Sequence, residues 1–333
     1  MNGIIVVNKE KDYTSFDVVA KLRGILKQKK IGHTGTLDPQ ATGVLPVCLG
    51  SATKLCDMLT DKKKEYIAEF ILGKTTDTQD IWGTVTDEKE VTCCEADIYR
   101  CVKAFTGELL QVPPMYSAVW VDGKRLYDLA RMGIEVERKA RPVTVHELEV
   151  LSVDLPKVQI RLVCSKGTYV RTLIHDMGQT LCCGAVMTSL KRTQSGEFGI
   201  DRAYTIDEIA TIRDAGKLQD IVIPVDEAFT SYPAIILPPT LKKVILNGNL
   251  IYKSELEKLP LYEGKVTTEL FKKHAILKNN EKKASDLCKE GQKCRVYLRD
   301  DLECSFMAIY QFHKERKGMA AYKMFLPEEY LPS

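Results

Sequence analysis

One short stretch of this sequence concentrates the residue types from which an enzyme could build a reactive carboxylate. Residues 32–39 read Gly-His-Thr-Gly-Thr-Leu-Asp-Pro, so that Asp38 follows two glycines and two threonines. The glycines let the backbone pass close to a ligand, and the threonine hydroxyls can donate hydrogen bonds to a carboxylate or a phosphate. An apolar segment, residues 44–49, could anchor the loop on a rigid element. The pattern is typical of a presented nucleophile, although an Asp-Pro pair alone also suits an ordinary turn.

The residues around this stretch predict the elements that would hold it in place. Thr14, followed three positions later by Asp17, is typical of a helix N-terminus. Irregularly ordered strands and helices predict an α+β protein whose central sheet is mixed and mainly antiparallel, flanked by helices and loops. The expected strands are residues 3–8, 65–72 and 158–164, the expected helices are residues 14–28, 126–132 and 168–181, and residues 31–41 are expected to form a loop.

The Pro-rich connection at residues 224–239 is the best candidate for a domain boundary. Residues 1–232 are therefore expected to form a large domain, in which residues 112–142 are an insertion outside the main sheet. Residues 233–333 combine a Lys-rich segment with strand-like alternation, which predicts a small β-rich domain.

Composition and motifs exclude several classes of protein. The chain has neither a GxGxxG nor a GxxxxGK[ST] phosphate loop, so NAD and ATP are not expected as cofactors. Its eleven cysteines show no CxxC spacing and its five histidines are scattered, which argues against a metal site. So many free thiols favour a reducing compartment, and we expect the protein to be cytoplasmic. No apolar run is long enough to span a bilayer.

The distribution of charge suggests a polyanionic partner. The net charge is only +3, but residues 1–64 and 240–333 each carry +5, while residues 65–239 carry −7. Basic ends around an acidic middle are compatible with nucleic acid, although solvated Lys-rich surfaces are also common in proteins without such a partner.

Several motifs together resemble one enzyme family. Residues 32–54, GHTGTLDPQATGVLPVCLGSATK, resemble the signature of the TruB-type tRNA pseudouridine synthases, in which GTLDP carries the catalytic aspartate. Residues 64–66 are similar to the family's K-x-Y motif, and residues 165–173 to its S-x-G-T-Y-[IV]-R-[ST]-L motif. Residues 113–118 and 122–127 resemble the insertion with which the family grips RNA. The motifs follow in the expected order and are more similar to the stand-alone bacterial form than to the guide-RNA-dependent form.

The resemblance implies the pseudouridine-synthase fold and a reaction that needs no cofactor. Converting uridine to pseudouridine breaks the N1–C1′ bond and joins C5 to C1′, with no net gain or loss of atoms. The reaction needs a nucleophile that can form and release a covalent adduct, which a carboxylate can do. The resemblance assigns this role to Asp38 and leaves open whether it attacks C1′ of the ribose or C6 of the uracil.

The resemblance assigns roles to further residues. Arg171 would pair with the aspartate and keep it ionised, and Tyr66 would stack on the target base and is the candidate for removing the C5 proton. His33 would fill the gap that the flipped uridine leaves in the RNA, with general base as its competing role. Tyr169 and Leu190 would line the pocket, and Lys54, Lys64, Lys124, Arg125 and Lys191 would contact phosphates.

The implied substrate is the uridine at position 55 in the T loop of tRNA, recognised by shape. The resemblance also implies an enzyme without an obligatory protein partner, and we expect a monomer. Two alternatives remain open, a guide-RNA-dependent pseudouridine synthase and a non-catalytic tRNA-binding or folding protein on the same scaffold. The family often ends in a PUA-like RNA-binding module, and the expected C-terminal domain would be that module or a diverged scaffold.

Overall fold

The computed structural model describes residues 1–121, 123–266, 283–287, 289–300, 303–327 and 330. The chain divides into two compact units. The unit that we call the central unit contains residues 5–49 and 55–221, and the terminal unit contains residues 1–4 and 50–54 with the described residues from 222 onwards. The boundary predicted between residues 232 and 233 remains a prediction. Asp122 of the insertion motif and residues 267–282 of the Lys-rich segment lie outside the described residues.

Helices and strands follow one another in irregular order along the chain. The helices are α1 Ser15–Leu26, α2 Cys56–Thr60, α3 Glu95–Ala104, α4 Leu126–Arg131, α5 Val170–Thr180, α6 Ile206–Asp214, α7 Lys242–Leu246 and α8 Lys253–Leu256. The strands are β1 Gly3–Lys9, β2 Ile31–His33, β3 Thr42–Leu49, β4 Lys64–Leu72, β5 Lys74–Thr76, β6 Val85–Glu88, β7 Gly107–Gln111, β8 Trp120–Val121, β9 Lys124–Arg125, β10 Arg141–Asp154, β11 Lys157–Cys164, β12 Ala185–Ser195, β13 Phe198–Gly199, β14 Ala234–Leu237, β15 Ile251–Tyr252, β16 Leu261–Tyr262, β17 Lys293–Asp300, β18 Glu303–His313 and β19 Gly318–Met324.

One large sheet organises the central unit. Among the described residues it has nine strands in the order β1-β3-β12-β4-β11-β10-β7, with β2 paired to β3 and β13 to β12. β3 and β12 run parallel, whereas β12, β4, β11, β10 and β7 are successively antiparallel. Burial alternates along β4 and β11, as expected for strands with one face on a core. The predicted α+β class with a mixed, mainly antiparallel sheet is confirmed.

Helix α5 packs on the buried face of this sheet and carries the arginine of the third motif. Val170, Leu173, Ile174 and Met177 are buried in the core with residues of β4, β11 and β12. The helix begins at Val170, two residues later than predicted, because Tyr169 is still extended and its backbone is held by the side chain of Gln111. The first turn of the helix therefore lies where β7 and the sheet core meet.

Helix α1 and the loop after it frame the other side of the site. Thr14 and Asp17 form the predicted capping box, and the helix ends at Leu26 because Lys27 takes a left-handed conformation with φ of 48°. The loop predicted for residues 31–41 is shorter than expected. Its first residues form β2, because Ile31 is buried and pairs with Leu49 of β3.

The terminal unit contains a second, smaller sheet. Its described strands follow the order β15-β19-β18-β17-β14-β16, with β14 parallel to β17 and the other neighbours antiparallel. The predicted β-rich character of this part of the chain is confirmed. Of the described helices, none combines the length and the apolar character that crossing a membrane would require.

Candidate active site

The loop between β2 and β3 presents Asp38 and is fixed from both sides. The Leu37 N–H donates to Ser15 Oγ at 2.9 Å, and the Lys9 ammonium donates to the Pro39 carbonyl at 3.0 Å. Burial lowers the pKa of Lys9 to about 8. These bonds immobilise the backbone on either side of Asp38, while its own side chain is 46% exposed. Asp38 therefore has a fixed backbone and a carboxylate that remains accessible to solvent.

Arg171 is the buried cation that faces this carboxylate. Its Nε lies 3.2 Å from Asp38 Oδ2, and the arginine side chain is only 7% exposed. Its Nη1 donates to the Thr78 carbonyl at 3.1 Å, and its Nη2 donates to the Tyr116 carbonyl at 3.0 Å. A buried guanidinium is tolerated only where its donors are satisfied. These bonds fix its orientation, so its charge stabilises negative charge on Asp38 from a set direction.

A second carboxylate, Asp80, completes the network and was missed by the sequence analysis. Its Oδ2 lies 3.3 Å from Arg171 Nη1, and its side chain is 15% exposed. Its Oδ1 accepts a bond from Thr78 Oγ1 at 2.7 Å. The available signal was a polar turn with two carboxylates, residues 77–80, soon after a predicted strand. Nothing in that local pattern indicated that it would meet a residue 91 positions later.

A cavity of about 250 Å³ opens beside the three charged groups. Besides Asp38, Asp80 and Arg171 it is lined by Pro39, Gln40, Ala41, Thr78, Trp82, Tyr116, Met187 and Leu190. Leu190 therefore lies where the sequence analysis expected a pocket residue. Apolar walls with a few convergent polar groups are typical of a small-ligand site.

Tyr66 is buried in β4, within the electrostatic reach of Asp38. Burial raises the pKa of its phenol, and the nearby Arg192 opposes that shift. A phenol with a raised pKa is protonated at neutral pH, so it would have to give up its proton before acting as a base. Tyr169 stands at the start of α5, and burial also raises the pKa of its phenol.

Arg192 is a second buried cation that the sequence analysis did not single out. It is 1% exposed and pairs across the sheet with Tyr66. Its Nε donates to the Val44 carbonyl at 2.7 Å, and its Nη2 donates to the Gly35 carbonyl at 3.1 Å. Arg192 thus supports the loop before Asp38 and the phenol of Tyr66 at once. The sequence shows Arg192 in a Lys-Arg pair directly after Leu190, but it does not indicate that the arginine is buried.

His33 lies at the end of β2, partly exposed and in edge contact with Phe16 at 5.4 Å between ring centroids. Burial lowers its pKa, and the positive charge of Arg192 acts in the same direction. The imidazole is therefore neutral at physiological pH, which suits insertion between RNA bases.

The five basic residues predicted to contact phosphates have different environments. Lys124 and Lys191 are exposed, and Arg125 lies over the rings of Trp120 and Tyr127. Lys54 belongs to the terminal unit, where its ammonium bonds to the Met324 carbonyl at 3.0 Å. Lys64, in contrast, is buried and donates to the carbonyls of Thr60 and Lys62, and its pKa falls to about 8. Its contact with phosphate remains a prediction, as do the other roles.

No group of three or more His, Cys, Asp or Glu residues suited to a metal ion occurs among the residues that the structure describes. The chemistry that the site residues offer is that of a half-exposed carboxylate held beside a fixed guanidinium. Such a carboxylate can serve as a nucleophile or as a base.

Comparison with known proteins identifies a family for this chain. A family model described as TruB family pseudouridylate synthase, N-terminal domain, matches residues 23–170. One described as tRNA pseudouridylate synthase B C-terminal domain matches residues 171–230. The tRNA pseudouridine synthase B of Clostridium kluyveri is 46% identical over 74% of this chain and 84% of its own length. That of Lachnoclostridium phytofermentans is 44% identical over 98% of this chain and its own full length.

Solved structures show the same fold. The structure of a Cbf5–Nop10–Gar1 complex aligns with a TM-score of 0.69 and 25% identity, over 99% of this chain and 87% of the matched chain. That of an H/ACA RNP bound to a substrate RNA containing 2′-deoxyuridine aligns with a TM-score of 0.69 and 23% identity, with the same coverage. The predicted pseudouridine-synthase fold is confirmed. By its family models and its relatives, this chain belongs to the TruB family of pseudouridylate synthases.

Proposed function

We propose that this protein is a tRNA pseudouridine synthase that isomerises uridine 55 in the T loop, without a cofactor or an obligatory protein partner. The observation that carries the proposal is the contact of 3.2 Å between Arg171 Nε and Asp38 Oδ2 at the wall of a cavity. Relatives with 44–46% identity carry the name tRNA pseudouridine synthase B, which supports tRNA as the substrate.

In the proposed mechanism the target uridine leaves its stack in the loop and enters the cavity beside Asp38. Base flipping costs a few kcal/mol, and His33 would fill the vacated space in the RNA. Asp38 forms a covalent adduct with the nucleoside, the N1–C1′ bond breaks, the uracil turns and C5 joins C1′, and the bond to Asp38 breaks so that the carboxylate is released. N1 gains a proton and C5 loses one, so the atoms balance. Arg171 keeps Asp38 oriented throughout, because its other donors are already bonded to the protein.

Tyr66 would stack on the base, with Leu190 and Tyr169 forming the apolar part of the pocket. Since burial raises the pKa of the Tyr66 phenol, its hydroxyl enters the site protonated. Any role as acceptor of the C5 proton therefore requires that its own proton moves first. The exposed Lys124 and Lys191 would contact phosphates and contribute to affinity and its salt dependence.

We extend the proposal to the organisation of the protein. Residues 1–232 would form the catalytic domain with the RNA-gripping insertion at 112–142, and residues 233–333 would form a PUA-like domain that binds RNA. The β-rich sheet of the terminal unit supports the second assignment. The protein would act as a monomer in the cytoplasm.

A guide-RNA-dependent synthase is the second candidate, favoured by the likeness to the Cbf5 complex. One assay separates the two. The purified protein alone is incubated with an unmodified tRNA transcript that carries tritium at uracil C5, and release of tritium is followed. Conversion without any added component, which a transcript with cytidine at position 55 abolishes, supports the proposed function. Dependence on a further RNA or protein would contradict it.

A further inference from the structure

The loop between β5 and β6 places an aromatic side chain at the cavity. The proposed mechanism uses the cavity but gives no role to this side chain. Trp82 lines the cavity together with Asp38, Asp80 and Arg171, yet 46% of its surface is exposed. A large aromatic ring in this position offers a flat apolar face to whatever enters. Nothing in the chemistry of the uridine rearrangement requires a tryptophan here.

The backbone of Trp82 is fixed by the same groups that organise the charged network. Its N–H donates to Asp80 Oδ1 at 3.2 Å, and the N–H of the preceding Ile81 donates to the Met187 carbonyl at 2.9 Å. Gly83 follows, and a Cβ there would collide with Thr78 Oγ1. The loop is thus tightly packed, and the indole is presented from a rigid support. Preorganised aromatic groups bind ligands at low entropic cost.

A lysine from a segment far away in the sequence lies over the same ring. Lys11 Nζ is 5.5 Å from the centroid of the Trp82 ring. The segment that carries Lys11 is tied to the Asp38 loop, because the Asp12 N–H donates to the Pro39 carbonyl at 3.0 Å. Both exposed side chains are therefore anchored next to a carboxylate of the site.

An aromatic face with an adjacent ammonium has the chemistry of a nucleotide subsite. A base stacks on the ring, and its phosphate meets the cation. The cavity of about 250 Å³ is smaller than most pockets for drug-sized ligands, so one flipped nucleoside accounts for its volume. The exposed part of Trp82 is then left for a neighbouring nucleotide.

We propose that Trp82 and Lys11 form a subsite for the nucleotide next to the target uridine, with its base on the indole and its phosphate at the ammonium. This inference rests on the proposed function, since it requires an RNA substrate whose target nucleoside occupies the cavity. It adds a recognition step outside the chemistry: stacking of the neighbour holds the RNA strand open while the uridine is flipped.

Fluorescence gives a direct test, because Trp82 and Trp120 are the two tryptophans of the chain. In an Asp38→Asn/Trp120→Phe protein, Trp82 is the single indole and no turnover occurs. Titration with a T-arm RNA hairpin should quench its emission by roughly half or more through base stacking. Hairpins with an abasic site immediately 5′ or 3′ of the target should lose this quenching at one of the two positions. Saturable binding without quenching would overturn the subsite.

Kinetics with intact tRNA give an independent test. Trp82→Ala should raise KM about tenfold with little change in kcat, and Trp82→Phe should restore most of the loss by keeping a stacking surface. Lys11→Ala should make the plot of log affinity against log salt concentration less steep. The expected change is about one unit, which corresponds to the loss of one phosphate contact. Tyr99→Ala removes a similarly exposed aromatic of α3, 50% exposed, and should leave both constants unchanged.

The outcomes distinguish this inference from the proposed function. A fall in kcat with unchanged KM in Trp82→Ala would show that Trp82 only supports Asp80, which overturns the subsite alone. The subsite alone is also overturned if the wild-type protein converts tRNA while the single indole of the Asp38→Asn/Trp120→Phe protein binds the hairpin without quenching. A protein that neither binds nor converts the RNA overturns both proposals.

Discussion

Arg171 in the central unit and Arg295 in the terminal unit are both buried, with 6% and 0% of their surface exposed. Arg295 donates to the Tyr232 carbonyl at 2.9 Å, to the Gly264 carbonyl, and to the Tyr297 hydroxyl at 3.2 Å. Arg171 also bonds to backbone carbonyls, but its Nε faces the half-exposed Asp38 at a cavity. Both guanidinium groups are shielded from solvent. They differ in their partners, because only Arg171 also contacts an accessible carboxylate.

A buried charge with a structural role can be told from one with a functional role by the partners that it contacts. The described partners of Arg295 are carbonyls and a hydroxyl of its own unit, so its bonds stabilise a local connection between strand and loop. The partners of Arg171 include two carboxylates, of which Asp38 is open to a ligand. Burial alone does not distinguish the site of Arg171 from that of Arg295. The distinguishing feature is an accessible carboxylate that a buried cation holds in place.

The largest effect is expected at the accessible carboxylate itself. Asp38→Asn removes the nucleophile but little of the binding surface, so turnover should fall by about 10⁴-fold or more, while tRNA affinity stays within about twofold. Single-turnover tritium release and filter binding measure the two quantities. Turnover close to the wild-type value would contradict the proposed mechanism.

The two arginines can be compared by the same substitution. Arg171→Lys keeps the charge but loses the fixed fork of donors, and kcat should fall by roughly 10³-fold. Arg295→Lys should instead lower the free energy of unfolding, by about 3 kcal/mol, because buried acceptors lose their donors. Its kcat, corrected for the folded fraction, should equal that of the wild type. Loss of kcat in both variants would show that the comparison does not separate function from stability.

Tyr66→Phe tests the hydroxyl without removing the ring. The ring should still stack on the base, so KM should change little, while kcat should fall by about 10²-fold if the phenol takes part in proton transfer. Tyr169→Phe provides a matched control with a second buried phenol near the site. Full activity of Tyr66→Phe would exclude the phenol from catalysis.

Asp80→Asn removes one of the two carboxylates that share Arg171. The amide oxygen can still accept from Arg171, but the attraction between two opposite charges is lost. We expect kcat to fall by about 10- to 100-fold with a smaller change in KM. Asp77→Asn, in the same loop but outside the cavity lining, is the control. Equal effects of the two substitutions would mean that Asp80 matters only for the shape of the loop.

The smallest expected effect is on the pH dependence of the free energy of unfolding. A buried lysine, unlike a buried arginine, can lose its proton in an accessible range of pH. Burial lowers the pKa of Lys64 from 10.5 to about 8. Between these values the unfolded chain binds more protons than the folded one, so this lysine makes stability rise with pH in that window. The free energy of unfolding of the wild type minus that of Lys64→Met should therefore increase from pH 8 towards 10. A difference that stays constant over this range of pH would contradict the lowered pKa of Lys64.

Much of the fold and part of the site could be predicted from local patterns. The alternation along residues 65–72 and 158–164 predicted β4 and β11 to within one residue, because a half-buried strand repeats every second residue. The capping box at Thr14 placed the start of α1. The resemblance carried by GTLDP and the motif around Arg171 predicted a pair that the structure places 3.2 Å apart.

Asp80 and Arg192 could not be predicted in this way. Asp80 is 91 residues from Arg171, and Arg192 is 148 residues from Val44, whose carbonyl it binds. Neither residue has a local spacing that differs from that of an ordinary polar turn or an ordinary exposed strand position. Lys64 shows another limit of local patterns, since the resemblance predicted a phosphate contact, which remains a prediction, but did not indicate that the fold buries this side chain.

The residue types of the reaction and the periodic elements that carry them follow from local sequence, because they depend on neighbours within a few positions. The folded structure was needed to show which charges are buried, which carboxylates share a guanidinium, and that Lys11 lies over the ring of Trp82, which lines the cavity. Such contacts join segments far apart in the chain. Their energies depend on burial and distance, which are properties of the folded molecule.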